Sequence, residues 1–179
     1  MFRESEVAGV MVVDLEQRAD ERGFFARTWS ADELRTQGLD GELSQISISF
    51  NTRRHTLRGM HFQRAPHDEA KLVRCTMGRI FDVAVDLRAE SPTFRRWTGV
   101  ELSAANRRSL FIPKGCAHGF LTLDDDAEVL YLISTPHVPD AADGVRWDDP
   151  AFGITWPATP AVISDRDATY ADFRSNAGG

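Results

Sequence analysis

Cysteine is almost missing from this chain of 179 residues: Cys75 and Cys116 stand apart and form no CxxC pair. That scarcity argues against a disulfide framework or a structural zinc site, so both thiols are expected reduced and the protein cytoplasmic. Long apolar runs are missing too. No stretch approaches the ~20 residues that cross a bilayer. The opening Met1-Phe2-Arg3-Glu4-Ser5-Glu6 is charged where a secretion signal would turn apolar. There is no excess of positive charge: the net charge is -6 and the pI about 5.3, which speaks against a nucleic-acid partner. A local cluster of Arg and Lys can still hold a small anion. No repeat, low-complexity tract or linker interrupts the chain, so residues 1–179 are expected to form one domain.

What the chain does contain is a series of short period-2 segments split by Gly, Pro, Asn and Asp. Strands are expected over 10–15, 23–29, 43–51, 71–76, 79–87, 109–112, 119–123 and 127–134, with a loop-rich tail beyond Pro136. One clear helix begins at Ser30-Ala31-Asp32-Glu33, which reads as a capping box, and Gly38 is a natural stop. Many strands and almost no helix predict an antiparallel sandwich or closed barrel. The alternation is informative. Gln45, Ser47 and Ser49 oppose Ile46, Ile48 and Phe50, and Asp82, Ala84 and Asp86 oppose Phe81, Val83 and Val85. Any one such strand reads as half exposed. Several together also fit a barrel with a polar, ligand-sized interior and apolar packing outside.

The chemistry-bearing residues cluster in two stretches. Pro113-Lys114-Gly115-Cys116-Ala117-His118 contains PxGxxH, which resembles the second motif of the cupin superfamily, and Gly59, His61, Glu69 and Gly78 loosely echo the first. The metal-binding version needs a His-x-His pair, and Gln63 stands at its second position. An amide oxygen is a weaker ligand than imidazole, so the metal-free version is preferred. His61 is set apart from the other histidines by its neighbours Arg58 and Lys71. Strand parity puts Arg58 and His61 on opposite faces unless a bulge at Gly59 brings both inward. A neutral imidazole, with an ordinary pKa near ~6.5, accepts a proton at physiological pH, and a nearby lysine stabilises a developing enolate. Tyr131 can deliver a proton to the other face, although a tyrosine here also fits a plain amphipathic barrel strand.

Taken in order, the motifs closely resemble the dTDP-4-dehydrorhamnose 3,5-epimerase family. The matching stretches are Asp20-Glu21-Arg22-Gly23-Phe24-Phe25, Leu57-Arg58-Gly59-Met60-His61-Phe62-Gln63, Lys71-Leu72-Val73-Arg74 and Phe81-Asp82-Val83-Ala84-Val85-Asp86-Leu87-Arg88. Ser91-Pro92-Thr93-Phe94, Ile112-Pro113 through His118-Gly119-Phe120, Glu128 to Tyr131 and Gly153-Ile154-Thr155-Trp156-Pro157 complete them. The resemblance implies an all-β, cupin-type jelly-roll barrel with a few short helices, usually dimeric, acting without metal or organic cofactor. It implies an isomerase that inverts carbon 3, carbon 5 or both of a nucleotide-linked 4-keto-6-deoxy sugar, in deoxysugar synthesis of the dTDP-rhamnose type. By the same resemblance His61 is the base, Asp167 the carboxylate behind it, Lys71 the group by the enolate oxygen and Tyr131 the acid. Arg22, Gln45, Ser47, Arg58, His118, His137 and Arg166 would hold the nucleotide diphosphate and sugar.

The chain departs from the family pattern in its nucleotide and sugar contacts. Arg27 stands where a glutamate is usual, Ser47 replaces an asparagine, His137 an aromatic residue, and Leu132 a common lysine. Three alternatives stay open: inversion at carbon 3 alone on another nucleotide sugar, a metal-dependent cupin using His61, Gln63, Glu69 and His118, and a non-catalytic sugar-nucleotide binder.

Overall fold

In a strand, alternate side chains face opposite ways, so each period-2 segment has one face for a core and one for something else. The computed structural model describes residues 1–174, and the last five positions of the expected 1–179 domain lie outside the described residues. The strands are β1 (Phe2–Glu4), β2 (Met11–Val13), β3 (Arg18–Asp20), β4 (Gly23–Phe25), β5 (Gln45–Asn51), β6 (Leu57–Gln63), β7 (Lys71–Met77), β8 (Arg79–Asp86), β9 (Trp97–Ser103), β10 (Ser109–Ile112), β11 (Cys116–Thr122), β12 (Ala127–Ile133) and β13 (Ala142–Gly144). Helix α1 (Ala31–Thr36) precedes β5 and α2 (Asp165–Ala168) lies near the end. Among the described residues no helix is long and apolar enough to cross a membrane.

Six strands form one sheet in the order β1-β2-β10-β7-β12-β5, five form a second, β13-β6-β11-β8-β9, and β3 and β4 make a separate hairpin. From β5 onward the chain passes between the two large sheets at every step except β8 to β9. This antiparallel double-sheet winding is the jelly roll. Between the sheets, Val73, Cys75, Leu110, Ile112 and Val129 meet Ile80, Ala84, Leu102 and Phe120. Each such large side chain stabilises the fold by roughly 1.5–3 kcal/mol. Behind the five-stranded sheet, Met60, Val83, Val85 and Ala117 pack on Val145 and Phe152. Behind the six-stranded sheet, α1 contributes Leu34 to a cluster with Val13, Leu72 and Phe111. That cover stops short of β5, whose outward Ile46, Ile48 and Phe50 are 60%, 62% and 46% exposed.

Helix α1 begins and ends where its sequence says it should. Ser30 Oγ accepts the Glu33 N–H, but the Glu33 carboxylate pairs with Arg27 at 2.6 Å, so only half of the expected capping box forms. At the other end Gly38 has φ +72°, and the N–H groups of Gly38 and Leu39 bond the carbonyls of Arg35 and Leu34. That is a Schellman stop.

Several expectations need correction. The strand expected over 23–29 ends at Phe25, and β6 and β9 form where no strand was expected. In β9, Gly99 resembles a turn residue, yet its missing side chain leaves room for the Phe81 ring of the neighbouring strand. In β6 the alternation is broken by a feature that shapes the site.

Candidate active site

β6 pairs with β11 so that His61 lies opposite His118 and Arg58 opposite Phe120. Three steps along β6 therefore match two along β11, which is a β-bulge. It turns Arg58 and His61 to one side, the interior, while Met60 packs outside among Val83 and Ala117. Gly59 makes this possible. Its φ is +137°, and a Cβ there would lie 2.5 Å from the Gly119 Cα, so neither a side chain's backbone preference nor its volume fits.

The His61 Nε2 lies 2.7 Å from Asp167 Oδ1, while Asp167 Oδ2 accepts the Gly59 N–H at 3.1 Å. Helix α2 places the carboxylate: Ser164 caps it, accepting the Asp167 N–H. Burial pushes the Asp167 carboxyl up, but the hydrogen bond and charge of His61, with Gly59 and Ser164, outweigh it and hold its pKa below the usual carboxylate value.

The opposite wall comes from the six-stranded sheet. Tyr131 packs among the residues between the sheets, and its hydroxyl lies 3.2 Å from Ser49 Oγ. Burial drives its pKa far above that of an ordinary phenol, against a smaller lowering from the Ser49 hydrogen bond. Lys71 shares the inward parity of Val73 and Cys75 and pairs with Glu69 at 2.8 Å, both side chains about 10% exposed. Gln45 and Ser47 stand in the same inward row of β5, opposite Ile133 and Tyr131. Two contacts tie the walls together. Arg58 Nε donates to Asn51 Oδ1 at 2.7 Å, and the His118 ring meets Tyr131 edge-on at 6.1 Å. His118 Nε2 is held by Asp82 at 2.7 Å, and both are buried.

The four donors of the metalloenzyme alternative are each bonded elsewhere. His61 meets Asp167, Glu69 meets Lys71, His118 meets Asp82, and Gln63 bonds the backbone of His67, Pro136 and Val138. Gln63 thereby fixes the loop that exposes His137. Arg166 sits exposed on α2. Arg22 is not brought to this group: among the described residues it pairs only with Asp20, and its neighbour Phe24 lies under Arg107, beside the outward-facing Arg74.

This arrangement has close relatives. The model of the dTDP-4-dehydrorhamnose 3,5-epimerase family matches residues 4–175. The chain belongs to that family. The dTDP-4-dehydrorhamnose 3,5-epimerase of Methanothermobacter thermautotrophicus is 42% identical over 98% of this chain and 95% of its own. The crystal structure of the enzyme of that name from Elizabethkingia anophelis superposes with a TM-score of 0.93 at 32% identity, covering 97% of this chain and 96% of that one. The Legionella pneumophila epimerase, solved in complex with dTDP-4-keto-L-rhamnose, gives 0.86 at 33% identity over 93% and 89%.

Arg27, expected from the sequence to depart from a usual glutamate, pairs with Glu33 at 2.6 Å, and both side chains are exposed. Several members of the cluster were not singled out from the sequence. Ser49 and Asn51 continue the inward row of Gln45 and Ser47, and Asp82 lies on the polar face of its strand, so each carried a parity signal. Tyr170, which contacts the His61 ring, carried none.

Proposed function

We propose that this epimerase-family chain inverts carbon 3 and carbon 5 of a dTDP-linked 4-keto-6-deoxy sugar, dTDP-4-dehydro-6-deoxyglucose, using its own side chains, in deoxysugar synthesis of the dTDP-rhamnose type. The observation that carries the reading is that His61 and Tyr131 stand on opposed sheets of one interior. The 4-keto group acidifies the hydrogens on carbons 3 and 5. His61 removes one, and Asp167 stabilises the imidazolium that forms. Lys71 stands by the enolate oxygen as a fixed positive charge. Tyr131, whose raised pKa keeps it a neutral hydroxyl, gives its proton to the opposite face of the carbon. The phenolate then regains a proton and the imidazolium loses one, so solvent hydrogen enters the sugar at each inverted centre.

Arg58, held by Asn51, is set to grip the diphosphate, with Gln45, Ser47, His118, His137 and Arg166 completing the nucleotide and sugar contacts. A second copy of the chain seated on Ile46, Ile48 and Phe50 gives a homodimer. The hairpin carrying Arg22 borders that face through Phe24, Arg107 and Arg74, so in the dimer Arg22 joins a site it does not reach in its own copy. The nucleotide-sugar substrate puts the work in the cytoplasm, with the whole chain as one catalytic domain. The test is turnover in deuterium oxide followed by proton NMR: deuterium at both carbons is expected, deuterium at carbon 3 alone would make this a 3-epimerase, and none would overturn the reading.

A further inference from the structure

Tyr170 follows α2 by two residues, and its ring meets the His61 imidazole edge to face, with centroids 6.4 Å apart and planes at 71°. The Arg166 guanidinium carbon lies 5.8 Å from the centre of the same ring. The space the ring fills exists because residue 144 is glycine. A Cβ there would lie 2.5 Å from Tyr170 Cε2, and Gly144 is the direct β-partner of His61 across β13 and β6. The sheet therefore leaves a slot beside the base, and the ring occupies it. The Tyr170 hydroxyl is buried and, among the described residues, has no hydrogen-bonding partner; Arg166 approaches it outside bonding geometry. What the structure uses is the ring, not the oxygen.

The consequence lies in what holds the imidazole. Asp167 fixes one ring nitrogen, but one hydrogen bond leaves the ring free to tilt about it. A flat aromatic edge on the neighbouring side limits that freedom. We infer that Tyr170 is a positioning residue for this reaction, setting the plane of His61 so that its free nitrogen faces the sugar carbon. The inference rests on the reading of His61 as the base. Misplacing a reacting group by about 1 Å can lower a rate by about 10²-fold, so a ring merely allowed to tilt should lose less than that.

The experiment compares Tyr170→Phe, Tyr170→Leu and Tyr170→Ala with the wild type, by steady-state kinetics and solvent deuterium uptake on dTDP-4-dehydro-6-deoxyglucose. Tyr170→Phe is expected to keep wild-type kcat and KM. Leu and Ala should lower kcat about tenfold or more while KM stays within about twofold. The Leu variant keeps most of the buried volume, so it decides the matter if the Ala variant fails to fold. Wild-type kcat in the Leu variant, or a Phe variant as slow as Leu, would overturn the assignment. A wild-type enzyme that takes up no deuterium would instead refute the epimerase reading beneath it.

Discussion

At the scale of single residues, the proposed base His61 depends on Asp167. A carboxylate buried to 5% exposure is stable as an anion only because His61, Gly59 and Ser164 all meet it. Asp167→Asn keeps the shape but removes the charge that stabilises the imidazolium and selects its tautomer. Turnover is expected to fall by about 10²–10⁴-fold, the range for removing such a carboxylate, with KM little changed; a loss under tenfold would put the base elsewhere. The same carboxylate links stability to pH. Its folded pKa is depressed, so its contribution is complete above about pH 4 and is lost as pH falls through the folded value. Urea titrations at pH 7 and pH 3 should thus show a smaller loss in the Asn variant than in the wild type. His61 was singled out by its neighbours Arg58 and Lys71, whereas Tyr131 fitted a plain amphipathic strand and took its expected role from the family resemblance. Tyr170 was silent, since its meaning depends on an absent side chain at Gly144, on a strand 26 positions earlier.

Elements explain why parity misled. Periodicity along β6 separates Arg58 from His61, and only the bulge against β11 reunites them. From the sequence a bulge at Gly59 was a conjecture, because the partner that demands glycine, the Gly119 backbone, is remote in the chain. The segment was weighed through the parity of Arg58 and His61 but not delimited as a strand, because a bulged strand does not alternate. β5 shows the converse. Its clean alternation identified the strand but not which face was inside, and the polar row proved to be the inner one. Gly59→Ala combines a left-handed φ with contact against backbone that cannot move aside. A stability loss of about 2 kcal/mol or more is expected, measured as a drop in the urea midpoint, together with loss of turnover. A variant of wild-type stability and activity would mean that the bulge does not place His61.

For the whole molecule, the jelly roll followed from the motif series, whereas its uncovered surface did not. The row of Ile46, Ile48 and Phe50, with Met77 at 45% exposure nearby, is a contiguous apolar face on an edge strand, a surface soluble proteins seldom leave bare. Ile48→Asp should barely alter the isolated fold, within about 0.5 kcal/mol for an exposed position, yet it places a charge on the face proposed for a second copy. Light scattering is expected to give a dimer for the wild type and a monomer for the variant. Turnover should fall with it, because Arg22 then has no partner site. A wild type that is monomeric at micromolar concentration would remove the dimer and the role given to Arg22.

Two groups on opposed sheets are proposed to act on the two faces of one carbon. His61→Ala and Tyr131→Phe, each incubated with dTDP-4-dehydro-6-deoxyglucose in deuterium oxide, separate the two halves of the reaction. His61→Ala is expected neither to exchange nor to invert, with turnover down by at least about 10²-fold. Tyr131→Phe should still exchange hydrogen with solvent while inverting poorly. Normal inversion by Tyr131→Phe, or normal exchange by His61→Ala, would contradict it.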